Sequence, residues 1–138
     1  MDSLDLTAPP KLHVSVANAR RMAADPGHLT ALMLSHGSMQ LRWFSPQESD
    51  DQVPHDRDEL YIVVAGHGTF MRAADAAPFD DVAIPLADAD RVQFQPGDAL
   101  FVPAGTVHRF EDFSNDFAAW IVFYGPEGGE SDSGDHRP

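Results

Sequence analysis

The stretch Pro54-His-Asp-Arg-Asp-Glu-Leu-Tyr-Ile-Val-Val-Ala-Gly66 passes from a charged loop straight into a run that is apolar on both parities, then stops at a glycine. A short apolar run bounded by turn residues reads as a strand covered on both faces. Alternate side chains of a strand share a face. Tyr61 and Val63 therefore follow Glu59 into an interior, while Leu60, Ile62 and Val64 face outward, toward the N-terminal segment or a second subunit. His55, four residues before Glu59, joins the inner face if residues 55–59 are extended. A carboxylate heading an apolar face is costly unless a partner or a metal ion takes its charge.

A second stretch completes the pattern: Gly97-Asp-Ala-Leu-Phe-Val-Pro-Ala-Gly-Thr-Val-His-Arg-Phe-Glu-Asp112. A strand reaches a Pro-x-Gly turn, where Gly105 permits a tight reversal, and returns as another strand near Val107. His108 opens that strand on the parity of Phe110, which belongs to the interior. Two histidines and one carboxylate, each at a strand end beside a turn, match the facial triad that leaves open positions on a metal ion.

Outward from these stretches the chain keeps the same rhythm. Segments of period two or continuous apolar character are expected as strands near 29–36, 38–44, 59–65, 68–73, 90–95, 98–102, 107–113 and 117–124, broken by Gly, Pro, Asp and Asn. Eight short strands suit an all-β jelly-roll barrel. Ahead of them, alanine-rich residues 15–24 predict a short N-terminal helix with Ser15 as N-cap. Residues 73–90, rich in Ala, Asp and Pro, read as a long connection with one weak strand around Val82–Leu86. The expected organisation is an N-terminal segment over 1–27, one barrel domain over 28–124 and a disordered acidic tail over 125–138.

Composition narrows the function. Nine Lys and Arg against 22 Asp and Glu give a formal charge of -13, which repels nucleic acid and anionic membranes. No run approaches the roughly 20 apolar residues of a membrane helix, and the acidic, proline-bearing start lacks the charge pattern of a targeting signal, so a cytoplasmic protein is expected. With no cysteine in the chain, any metal must be held by nitrogen and oxygen, which directs attention to the seven histidines.

The two stretches resemble the paired motifs of the cupin superfamily. Gly97, Pro103, Gly105 and His108 match every spacing of its second motif, with Asp112 in place of a closing Asn. His55, Glu59 and Gly66 match the first. The departure is Val53, which stands where cupins usually have another histidine ligand. The resemblance implies a metal site of three protein ligands, His55, Glu59 and His108, with water, substrate or Gln52 in the fourth place. Gln52 has the wrong parity for a regular strand and needs a bulge to turn inward. The motifs also resemble those of small bacterial cupin-domain proteins to which no reaction is attached.

The expected function is a metal-binding cupin acting on a small oxygenated organic molecule, with dioxygenase, isomerase or decarboxylase chemistry at Fe(II), Zn(II), Mn(II) or Ni(II). Glu59 then balances charge, and Tyr61 or Gln52 assists orientation or proton transfer. The alternatives are a non-catalytic cupin that binds or senses a small molecule and a structural cupin whose metal only stiffens the barrel mouth. The apolar outer face at Leu60, Ile62 and Val64 predicts a homodimer. His13, His28, His36, His67 and His136 are expected outside the site, Arg42 on the surface, with an anion-binding or stacking contact in the pocket as its alternative, and Phe101, Phe110, Trp120 and Phe123 in the core or the pocket wall.

Overall fold

The computed structural model describes residues 11–22, 29–47, 54–73 and 89–131. One short helix, α1 (Val16–Arg20), precedes eight strands: β1 (Thr30–His36), β2 (Met39–Phe44), β3 (Asp58–Ala65), β4 (Gly68–Ala73), β5 (Ala89–Phe94), β6 (Ala99–Val102), β7 (His108–Glu111) and β8 (Ala118–Tyr124). The expected strands are all present, with ends moved by at most two residues. Val82–Leu86, Gln52, Val53, His28 and His136 lie outside the described residues.

The strands pair in two antiparallel sheets, one ordered β1-β2-β8-β3-β6 and the other β5-β4-β7. Direct register partners share a face, so the register lays the interior out in rows. Across the larger sheet, Gln40, Phe123, Glu59 and Val102 form one row, and Arg42, Ile121, Tyr61 and Leu100 the next. Phe44, Ala119 and Val63 form a third. On the smaller sheet, Phe70 faces Phe110, and Arg72 faces His108.

The rows divide the barrel into an apolar end and a polar end. At the apolar end Phe94 and Phe110 each pack on Phe117, with ring centroids 4.8 Å apart in both pairs, and Phe44 meets Phe117 edge-on at 5.8 Å. Phe70 and Tyr61 form the floor between this aromatic plug and the row of Glu59. A side chain at the polar end is thus set on an aromatic base that admits little movement.

The outer face of the larger sheet is covered in part. α1 begins at Ser15, whose hydroxyl accepts from the Asn18 amide at 3.0 Å, and ends at Arg21, so it is shorter than the alanine-rich stretch that predicted it. Five residues are too few to hold a helix alone. Packing supplies the rest: Ala19 is buried in a cluster with Ala31, Met33, Trp43 and Ala118, and Arg20 lies over the Trp43 ring at 5.6 Å. Trp120, expected in the core or the pocket wall, packs against this outer core cluster and meets Trp43 edge-on.

Gly66 shows how tightly the apolar end is closed. Its φ is +87°, and a Cβ there would stand 2.5 Å from the Phe117 Cα. Neither demand can be met by another residue without moving backbone. Gly66→Ala should cost about 2–5 kcal/mol, combining left-handed strain with overpacking. Urea denaturation measures this, and a loss below about 1 kcal/mol would show that Phe117 can move aside.

Candidate metal centre

The two motif stretches meet at the polar end. His55 stands in the loop before β3, Glu59 is the second residue of β3, and His108 opens β7. The chain bends between His55 and Glu59 instead of running extended, yet the two side chains still converge, with Nε2 of His55 3.6 Å from Oε2 of Glu59. Nε2 of His108 lies 2.9 Å from Oε1 of Glu59. One ligating atom from each of the three falls within 4.8 Å of the others.

Burial is graded. Glu59 and the His108 side chain are fully enclosed, while the His55 side chain is one-third exposed and forms the solvent side of the group. The His55 ring rests edge-on against Phe123 at 5.1 Å, which makes Phe123 a wall of the site, as expected. Phe101 is not a wall. It is 41% exposed on the outer face, because its strand parity opposes that of Leu100 and Val102.

The hydrogen bonds orient the ligating atoms. The Tyr61 hydroxyl, also buried, donates to Oε1 of Glu59 at 2.8 Å and lies 3.1 Å from Nε2 of His108. Nδ1 of His108 faces the Thr106 carbonyl at 2.9 Å. A carbonyl only accepts, so Nδ1 carries a proton, and a neutral ring then has its lone pair at Nε2. That lone pair and the carboxylate Oε1 repel one another at 2.9 Å unless a cation accompanies them, either a proton on the ring or a metal ion. Oε2 of Glu59 is buried and has no hydrogen-bond partner.

These features fit a divalent ion. Two ligands each about 2.1 Å from one ion and at right angles to each other stand about 3 Å apart, the scale of the separations found here. The carboxylate oxygen without a hydrogen bond turns toward His55, and a carbonyl fixes the tautomer of His108, as is usual for metal-bound imidazoles.

The two loops that carry the ligands are sewn together. The Gly105 amide donates to the His55 carbonyl at 2.6 Å. Asp58 is 5% exposed and accepts from the amides of Ala104 and Glu130, both at 2.9 Å. Residues 125–131, the start of the expected flexible tail, are drawn onto the barrel by that contact and by the Gly128 amide on the Asp56 carbonyl. Tyr124, opposite Asp58 in register, has its hydroxyl held above the ordinary tyrosine range, first by burial and then by the Asp58 and Glu130 carboxylates.

Of the other histidines within the described residues, His13, His36 and His67 are exposed and none joins the group. Sequence reasoning preferred the surface over the pocket for Arg42 and did not single out Arg72, yet both stand on the inner face. Arg42 is 7% exposed and shares the row of Tyr61, so its surface placement is corrected. Arg72 is the register partner of His108. Strand parity with Phe44 and Phe70 was the available signal for both.

The fold is that of the cupins, a jelly-roll barrel, and His55, Glu59 and His108 form a group in it that could hold a metal ion. No family model matches it. It belongs to the family of Uncharacterized protein SCO3923 of Streptomyces coelicolor, with 32% identity over 109 residues, 79% of this chain and 90% of that protein. Among solved structures it is similar in fold to BH2720 from Bacillus halodurans (TM-score 0.61, 16% identity, 86% of this chain and 84% of that one). It is also similar in fold to the DMSP lyase DddQ from Ruegeria pomeroyi DSS-3 (TM-score 0.50, 17% identity, 86% of this chain and 57% of that one). No described helix is long and apolar enough to cross a membrane.

The Asp58 link can be tested on its own. Asp58→Ala should speed amide exchange at Ala104 and Glu130 about 5- to 150-fold, given about 1–3 kcal/mol for the lost acceptor. Tyr61 and Ile121 amides in the barrel wall should keep their protection. Unaltered exchange at Ala104 would mean that the loops are held by other contacts.

Proposed function

We propose that this cupin binds one divalent metal ion through His55, Glu59 and His108 and acts there on a small oxygenated organic molecule. The observation that carries the reading is the buried Oε2 of Glu59, without a hydrogen bond among the described residues and turned toward His55, with Nε2 of His108 2.9 Å from Oε1 of the same carboxylate. Fe(II), Mn(II), Ni(II) and Zn(II) all suit two imidazoles and a carboxylate, and the lack of thiolates gives zinc no advantage. When bound, such an ion supplies Lewis-acid polarisation of a substrate oxygen, and iron adds the possibility of dioxygenase chemistry.

The chain's own residues divide the remaining work. Glu59 neutralises charge in a site closed to water on its inner side. Tyr61 is a positioning residue: its hydroxyl holds Oε1 of Glu59 and leaves Oε2 for the ion. Thr106 holds His108 in the metal-binding tautomer. His55, on the exposed side, leaves the open face of the site toward solvent, from which substrate enters.

Metal analysis tests this directly. Protein purified without an affinity tag should carry close to one equivalent of a transition metal, and Glu59→Ala should retain almost none. Tyr61→Phe should weaken metal binding about 10- to 100-fold, the usual cost of removing a group that orients a ligand. Absence of metal from the wild type in every preparation would sink the reading. Stoichiometric metal with no turnover of diketones, hydroxy acids or catechols would favour the sensing alternative.

We also propose a homodimer formed through the outer face. Leu41, Val122, Leu60 and Phe101 lie in one register row across β2, β8, β3 and β6, and the described part of the N-terminal segment packs elsewhere, over Ala31, Met33 and Trp43. A partly exposed apolar row spanning four strands is the kind of surface that a second copy covers. Light scattering should give twice the chain mass for the wild type and the single mass for Leu60→Asp. A wild-type monomer would overturn this.

A further inference from the structure

Arg72 stands out on the inner wall. It is the direct register partner of His108, so its side chain leaves the sheet on the face where His108 meets Glu59. One guanidinium nitrogen donates to the Phe101 carbonyl of β6 at 2.7 Å, which stretches the side chain from one sheet to the other beside the metal ligands. A guanidinium has five N–H donors, and a single carbonyl uses one of them. Among the described residues no carboxylate lies within ion-pair distance of Arg72, whereas Arg91 and Arg109 both pair with Glu111. That is notable in a chain with 22 acids and nine bases, and with Asp90 opposite Arg72 in register. On the facing wall, Arg42, 7% exposed, occupies an inner-face position as well, whereas Arg72 is only half-buried.

We propose that Arg72 selects an organic carboxylate as the ligand of this site. A substrate with a hydroxyl or keto oxygen next to its carboxylate would place that oxygen at His55, Glu59 and His108 and its carboxylate on the unused donors of Arg72. Arginine suits this task because its planar fork matches a carboxylate in two parallel hydrogen bonds, and the bond to Phe101 fixes the fork in advance. The site then admits a compact 2-hydroxy or 2-oxo acid and discriminates against the neutral amide of the same shape. This inference rests on the metal-binding reading above.

The test uses the full chain loaded with Co(II), whose visible absorption reports on its ligands, with Co(II) uptake measured first by calorimetry. Glycolate and its neutral analogue glycolamide are titrated against the loaded protein. The wild type should prefer glycolate by about tenfold or more, the size of one charge-assisted hydrogen bond. Arg72→Met should keep its Co(II) and lose the preference. Arg72→Lys, which keeps the charge and most of the volume, should retain part of it and guards against a folding defect in the methionine variant. Failure of the wild type to take up Co(II) would overturn the metal site and this inference together. Co(II) uptake with no preference for glycolate, or a full preference surviving in Arg72→Met, would overturn this inference alone.

Discussion

Glu59 is a carboxylate enclosed completely inside a small barrel, and the rest of the polar end is arranged around that cost. Removing an ionised group from water is worth several kcal/mol against folding unless charge and hydrogen bonds replace the solvent. One oxygen is served by Tyr61 and approached by His108. The other has no hydrogen-bond partner and lies 3.6 Å from His55. A cation shared among the three side chains answers both the burial of the acid and the close approach of the His108 lone pair. The same requirement explains why Thr106, which contributes only a carbonyl, matters to the site.

Holding His55, Glu59 and His108, which come from separate parts of the chain, in one group requires the loops beneath them to be fixed. Asp58 does this from the outer side of the strand that carries Glu59 on its inner side, binding the Pro103–Gly105 turn and the segment after β8. Neighbouring acids thus serve opposite purposes, and strand parity separates them. The aromatic plug at the other end gives a rigid floor, so the geometry at the mouth is set by packing as well as by hydrogen bonds.

The formal charge of -13 belongs to the chain as a whole, yet two arginines, Arg42 and Arg72, occupy inner-face positions in the register of the two sheets. Global charge bounds which macromolecules approach, but the row structure of the sheets decides what a small ligand meets.

Period-two alternation, glycines at the turns and the spacing of the two motifs determined the barrel, the strand limits within two residues, and the convergence of His55, Glu59 and His108. These are local properties, since parity within one strand tells which side chains share a face. Tertiary structure alone decided what opposes each face. It put Asp58 under a turn, Phe101 and Trp120 on the outer surface, Arg42 on the inner wall, and residues 125–131 against the barrel. Register between strands distant in sequence makes those choices. It placed Arg72 beside His108 because β4 and β7 pair, a relation that no spacing along the chain encodes.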